Sequence, residues 1–112
     1  MEGLIAEADV HLQVIAHEIH RVAHTTATLG LINFRKGRIE KGNELYEEAV
    51  RLATTPADKS RIRQKWNLER GRAFLKVDPK KGTRFLLRAS EEKLGEDGIS
   101  QEARALLKGL AA

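Results

Sequence analysis

The sequence contains no cysteine, only two prolines (Pro56 and Pro79), and few aromatic residues: one Trp, one Tyr and three Phe. Without cysteine there is no disulfide, no thiolate metal ligand and no cysteine nucleophile. That inventory suits a reducing, cytoplasmic setting. With so few aromatic rings, a core has to be assembled mainly from Leu, Ile, Val and Ala. No apolar run approaches the roughly 20 residues that span a bilayer, so no membrane association is expected. The start, Met1-Glu2-Gly3, lacks the basic region of a secretory signal. A Gly-rich phosphate loop and a recognisable Ser/His/Asp spacing are both missing. The chain is therefore not expected to be an enzyme, and no cofactor is assigned to it.

What the chain does contain is globular composition over 112 residues, with 41% hydrophobic and 32% charged side chains. That is enough apolar material for one folded domain, and too much for a disordered segment. The net charge of +4 is unevenly spread. Residues 1–20 carry Glu2, Glu7, Asp9 and Glu18 and no Lys or Arg, whereas residues 59–88 carry eleven bases against Glu69 and Asp78.

Helix formers dominate and β-branched alternation is scarce, which predicts an all-α fold. Leu4, Ala8, Leu12, Ile15 and Ile19 recur at three- and four-residue spacing, so a leading helix is expected over residues 1–20. A second helix is expected over 21–36, ending before Gly37, and a third from about Arg38 to Ala53. The 54–56 stretch breaks the third, and a fourth runs to Val77 with Asp58 or Ser60 as N-cap. Asp78 and Pro79 supply the N-cap and first position of a fifth. Ser100 caps a closing helix within 98–112. The Arg21 boundary is open in two ways, since no Gly or Pro lies between Leu4 and Leu29: a tight turn, or one long helix.

A shift of forty residues superimposes the chain on itself. It pairs Phe34 with Phe74, Gly42 with Gly82, Tyr46 with Leu86 and Ala49 with Ala89. Each unit then reads as an antiparallel helix hairpin, with small residues where backbones approach and bulky ones beside them.

Thr26, Leu29-Gly30, Asn33, Gly37, Gly42, Tyr46, Ala49 and Thr54 follow the order of the tetratricopeptide pattern, which the chain resembles. Leu29, Gly30, Gly37, Tyr46 and Ala49 match. Thr26 and Asn33 stand where aromatics are usual, Gly42 replaces Ala, and the proline is displaced to Pro56. In the second unit Trp66 takes the place of the pattern's Trp, followed by Gly82, Leu86 and Ala89, while Glu69-Arg70 stands where Leu-Gly is expected. The resemblance implies one domain over 1–112: a leading helix that could be half a repeat, repeat one over 21–55, repeat two over 58–94, and a closing helix. These helix hairpins would stack as a short α-α superhelix. Such a module is expected either to be a piece of a longer protein or to self-associate.

By the same resemblance, the function expected is protein–protein interaction, as a scaffold or adaptor. A protein or peptide segment would dock on the concave face. The implied groove residues are His24, Ala27, Leu31, Phe34 and Arg35 in the first unit, and Gln64, Asn67, Gly71, Phe74 and Leu75 in the second. The Lys/Asn/Arg carboxylate clamp of chaperone-binding members is missing apart from Asn67, which favours an apolar or amphipathic segment. A second reading rests on the bases Arg61, Arg63, Lys65, Arg70 and Arg72, which could bind nucleic acid or an acidic partner. Helical spacing already divides these bases, with Arg61, Lys65 and Arg72 on one side and Arg63 and Arg70 on another. His11, His17, His20 and His24 form a cluster in sequence. However, the pair with metalloprotease spacing, His20 and His24, has Arg21 in the general-base position, so no metal site is assigned.

Overall fold

The structure, a computed structural model, describes the backbone of residues 2–111 and the side chains of residues 13–110. The described residues form five helices and no strand: α1 (Glu2–Arg35), α2 (Ile39–Leu52), α3 (Pro56–Phe74), α4 (Pro79–Glu91) and α5 (Asp97–Ala111). The fold is all-α. Of the two arrangements open at Arg21, the chain takes the unbroken helix, because nothing there removes a backbone donor or requires a positive φ. Residues 2–20 are therefore the N-terminal part of α1 and not a separate helix. The expected apolar positions Leu4, Ala8 and Leu12, and His11, lie outside the residues whose side chains are described.

Local chemistry sets the other ends. Gly37 adopts φ 79°, and the Arg38 N–H donates to the Asn33 carbonyl at 2.8 Å, a Schellman-type stop for α1. Asp78 caps α4 by accepting from the Lys81 N–H, with Pro79 at the first position. Two caps differ from expectation. Thr55, not Asp58 or Ser60, caps α3: its hydroxyl accepts from the Asp58 N–H at 3.1 Å, with Pro56 following it. Asp58 then occupies the third helical position, where a carboxylate favours the helix dipole. α5 begins at Asp97, so Ser100 lies inside it and is buried against Gln64.

The helices pair as antiparallel hairpins, α1 with α2 and α3 with α4, and α5 packs on α4. α1, α3 and α5 lie in one row, α3 touching both of the others, and α2 packs on both α1 and α3. Each hairpin crosses at a glycine pair. A Cβ on Gly30 would lie 2.7 Å from the Tyr46 ring and 3.3 Å from the Gly42 carbonyl. A Cβ on Gly71 would lie 2.9 Å from Leu86 and 3.1 Å from the Gly82 carbonyl. The two crossings are therefore equivalent, and in each a bulky side chain at the end of the first helix packs on the second glycine: Phe34 on Gly42, and Leu75, which caps α3, on Gly82.

This equivalence corrects the repeat register. The second helices are related by forty residues (Gly42 to Gly82, Tyr46 to Leu86), but the first helices by forty-one (Gly30 to Gly71, Phe34 to Leu75). The turn around Gly37 holds one residue more than its counterpart before Pro79. Leu29-Gly30 thus corresponds to Arg70-Gly71, and the pattern's Trp position is held by Asn67. Trp66 instead stacks on Tyr46 of the preceding hairpin, 6.2 Å between nearly parallel rings, and its indole N–H donates to Asn43.

Two apolar clusters follow. One joins Phe34, Tyr46, Ala49 and Ile62, and the other Leu68, Leu86, Ala89 and Ala103. Leu29, expected among the packing residues, is instead 47% exposed on the outer side of α1.

Gln64 locks α5 onto α3 and α4. Its amide nitrogen donates towards the Ala89 and Glu96 carbonyls, each at 3.1 Å, and the Ser100 hydroxyl at 2.9 Å. Its carbonyl accepts from the Glu96 N–H at 2.7 Å. Replacing it with Leu would remove these bonds, two of them buried at Ala89 and Ser100, and each buried group left unpaired costs about 1–3 kcal/mol. Gln64→Leu is expected to lower the free energy of urea unfolding by about 2 kcal/mol or more. A loss within about half a kcal/mol, the range of neutral surface changes, would show that the network contributes little.

Candidate partner-binding groove

The face shared by α1, α3 and α5 carries the site. Along α1, His24, Ala27 and Leu31 recur at helical spacing, and the forty-one-residue relation sets Lys65, Leu68 and Arg72 in equivalent places on α3. Between the two helices, closed at one end by α5, lies a groove of about 290 Å³. Ala27, Leu31, Ile62 and Ile99 contribute its apolar lining, and His24, Arg61, Lys65 and Glu96 its polar one. Tyr46 reaches the floor from α2. The face continues past Arg35 into a second hollow of about 260 Å³ bordered by Glu69, Arg72 and Lys76.

Glu69 organises the charge of this face. Its side chain is 1% exposed, and Arg35 reaches across from α1 to donate to it at 2.8 Å. Lys65 and Arg72, one turn away on either side, approach its other oxygen at 3.8 and 3.4 Å. Arg72 also pairs with Glu102 of α5, so a chain of ions links all three helices of the row. The hydrogen bond and charge of Glu69 hold the Arg35 guanidinium above its ordinary value. Burial, reinforced by Glu69, pushes the Tyr46 phenol well up. A buried carboxylate needs such partners, because an unpaired one is costly in a low-dielectric interior.

Near the start of α3, His20 reaches Asp58 at 3.3 Å while its ring lies edge-on to His24, 4.4 Å between centroids. Burial pushes the Asp58 carboxyl up. Hydrogen bonding with Thr55 and His20 and the charges of His20 and Arg61 outweigh it and hold the carboxyl below the usual range. Among the described residues, no three His, Asp or Glu side chains converge as a metal-holding group.

The comparisons add no relative. No family model, curated protein or solved structure matches the chain. The site therefore rests on its own geometry.

The expected groove residues fall in different surroundings. His24, Ala27 and Leu31 line the groove, and Arg35 lies on the same face. Phe34 is 4% exposed, packs against Gly42 and Tyr46 where α1 closes on α2, and borders the second hollow. In the second unit the one-residue slip rotated the expected set by about 100° around α3. Gln64 and Gly71 are buried packing positions, and Leu75 packs on Gly82. Phe74 pairs with Phe85 at 5.7 Å between centroids. Asn67 is buried and accepts from Arg70 at 3.0 Å.

The five bases do not form one patch. Arg61, Lys65 and Arg72 belong to the groove face, while Arg70 lies over the rings of Trp66 and Phe85, at 4.2 and 3.9 Å from their centroids. Burial, helped by the neighbouring Arg88 charge, lowers the Arg70 value to about 10. Arg63 is exposed. Sequence reasoning missed Ile62, Glu69 and Ile99. The forty-one-residue relation of Gly30 and Gly71 was a signal for Lys65 and Arg72 on this face, but Ile62 and Glu69 correspond to Arg21 and Thr28, outside the expected α1 set.

No described helix is long and apolar enough to cross a membrane.

Proposed function

We propose that this chain is a tetratricopeptide-like interaction module that docks an amphipathic peptide segment in the groove between α1 and α3. One observation carries the reading: apolar side chains from three helices (Leu31, Ile62 and Ile99) converge in an open groove flanked by Arg61, Lys65 and His24. Apolar side chains of the peptide would fill the floor, and its acidic residues would meet the flanking cations, which steer approach and set register. The glycine-crossed hairpins and the single row of first helices support the resemblance to the repeat class. The division of the bases between two faces supports a peptide groove over a nucleic-acid track, which needs cations aligned along a phosphate backbone.

The test is selection of displayed peptides on the intact chain, followed by charge reversal at the groove. Selected peptides are expected to alternate apolar and acidic residues. The double variant Arg61→Glu, Lys65→Glu is expected to bind them about tenfold more weakly and with less dependence on salt. Unchanged binding by that variant would overturn the assignment of this groove.

A further inference from the structure

α1 is much longer than the helix it pairs with. Its 34 residues span about 51 Å at 1.5 Å per residue, against about 21 Å for the 14 residues of α2. The part of α1 before Val22 overhangs the hairpin, and every described side chain from Gln13 to Val22 is exposed. Along the outer side, away from the groove, Ile15, Val22 and Leu29 fall seven residues apart, each about half exposed and flanked by Ile19 and Ile32. A helix-pair seam repeats every seven residues with a second apolar place three or four away, which Ile19 and Ile32 supply on either side of Thr25 and Thr26, and an exposed apolar row of this length marks an interaction site.

Charge selects the occupant. Residues 1–20 carry four acids and no Lys or Arg, whereas Lys36 and Arg38 directly follow the other end of α1, beyond Arg35, which Glu69 already engages. A helix with one acidic and one basic end complements a copy of itself running the other way. A parallel copy would set acid beside acid. We infer that the outer face of α1 pairs with α1 of a second copy of this chain in an antiparallel two-fold arrangement, with Val22 near the axis and Ile15 of each copy beside Leu29 of the other. Such an interface is isologous and closes at two copies. It leaves the groove of each copy open, because the groove lies on the opposite side of α1.

The experiment uses the full chain. Light scattering from micromolar to millimolar concentration is expected to show a monomer–dimer equilibrium. Val22→Glu with Leu29→Glu buries charge in the seam and is expected to weaken dimerisation by about tenfold or more, with helical circular dichroism retained and the urea midpoint unchanged at concentrations where the chain is monomeric. Because the protein has no cysteine, orientation can be read by oxidising a mixture of the Ile15→Cys and Leu29→Cys variants. The mixed disulfide should form in preference to either homodimer. A monomer at every concentration, a dimer that the glutamates leave intact, or preferential Leu29→Cys self-crosslinking would each overturn the inference.

Discussion

Gly82→Val is expected to unfold the second hairpin or to cost about 3 kcal/mol or more, at the upper end of core overpacking. A Cβ at this position would lie 2.8 Å from the Gly71 carbonyl oxygen and 2.8 Å from the Leu75 amide nitrogen. Both are backbone atoms of α3 and its end, so no side chain can swing aside, and the two helices would have to separate. Separation would also loosen Leu68, Leu86 and Ala89 beneath the crossing. Gly109 supplies the opposite case. It is helical, and a Cβ there meets nothing within 4 Å. Gly109→Ala is expected to stabilise by about 0.5–1 kcal/mol through helix propensity and a smaller loss of chain entropy. Urea unfolding of the two variants should therefore move in opposite directions. A neutral Gly82→Val would show that the hairpin does not cross at this glycine.

Tyr46→Ala is expected to lose about 3–5 kcal/mol, the usual range for truncating a buried aromatic ring. Tyr46 is 1% exposed, and its ring lies 5.8 Å from Phe34 and 6.2 Å from Trp66. It joins α1, α2 and α3, so the loss would be felt across the joint between hairpins and not within one of them. Trp66 is the single tryptophan and therefore reports this joint directly. Its emission should shift to the red in the variant and lose cooperativity with the helical signal on urea titration. Retained stability with unchanged emission would contradict the stacking at the centre of the first cluster.

Much of this fold was legible because its signals are local. Gly37 ends α1 by admitting a positive φ, Asp78-Pro79 starts α4, and Gly42/Gly82 and Ala49/Ala89 mark where second helices approach their partners. Other features were hidden because they depend on tertiary geometry. The forty-residue period is a property of α2 and α4, and one extra residue in the first turn makes the period of α1 and α3 forty-one. That single residue turned the expected face of α3 from Lys65, Leu68 and Arg72 towards Gln64, Asn67 and Gly71. Thr55 was passed over as a cap because Pro56 reads as a break, although proline suits the first position of a helix. In sequence Gln64 is expected to line the groove, and Glu69 stands where the repeat pattern has Leu. Only their partners, brought from α1 in one case and α4 and α5 in the other, explain their burial.

The groove is the central claim, and amide NMR mapping of a selected peptide on the intact chain tests it most directly. Shifts are expected to concentrate at His24, Ala27, Leu31, Ile62, Lys65 and Ile99, with Val22 and Leu29 on the outer side of α1 unmoved by the peptide. Perturbations centred instead on Trp66, Arg70 and Phe85, with the α1–α3 groove silent, would contradict it.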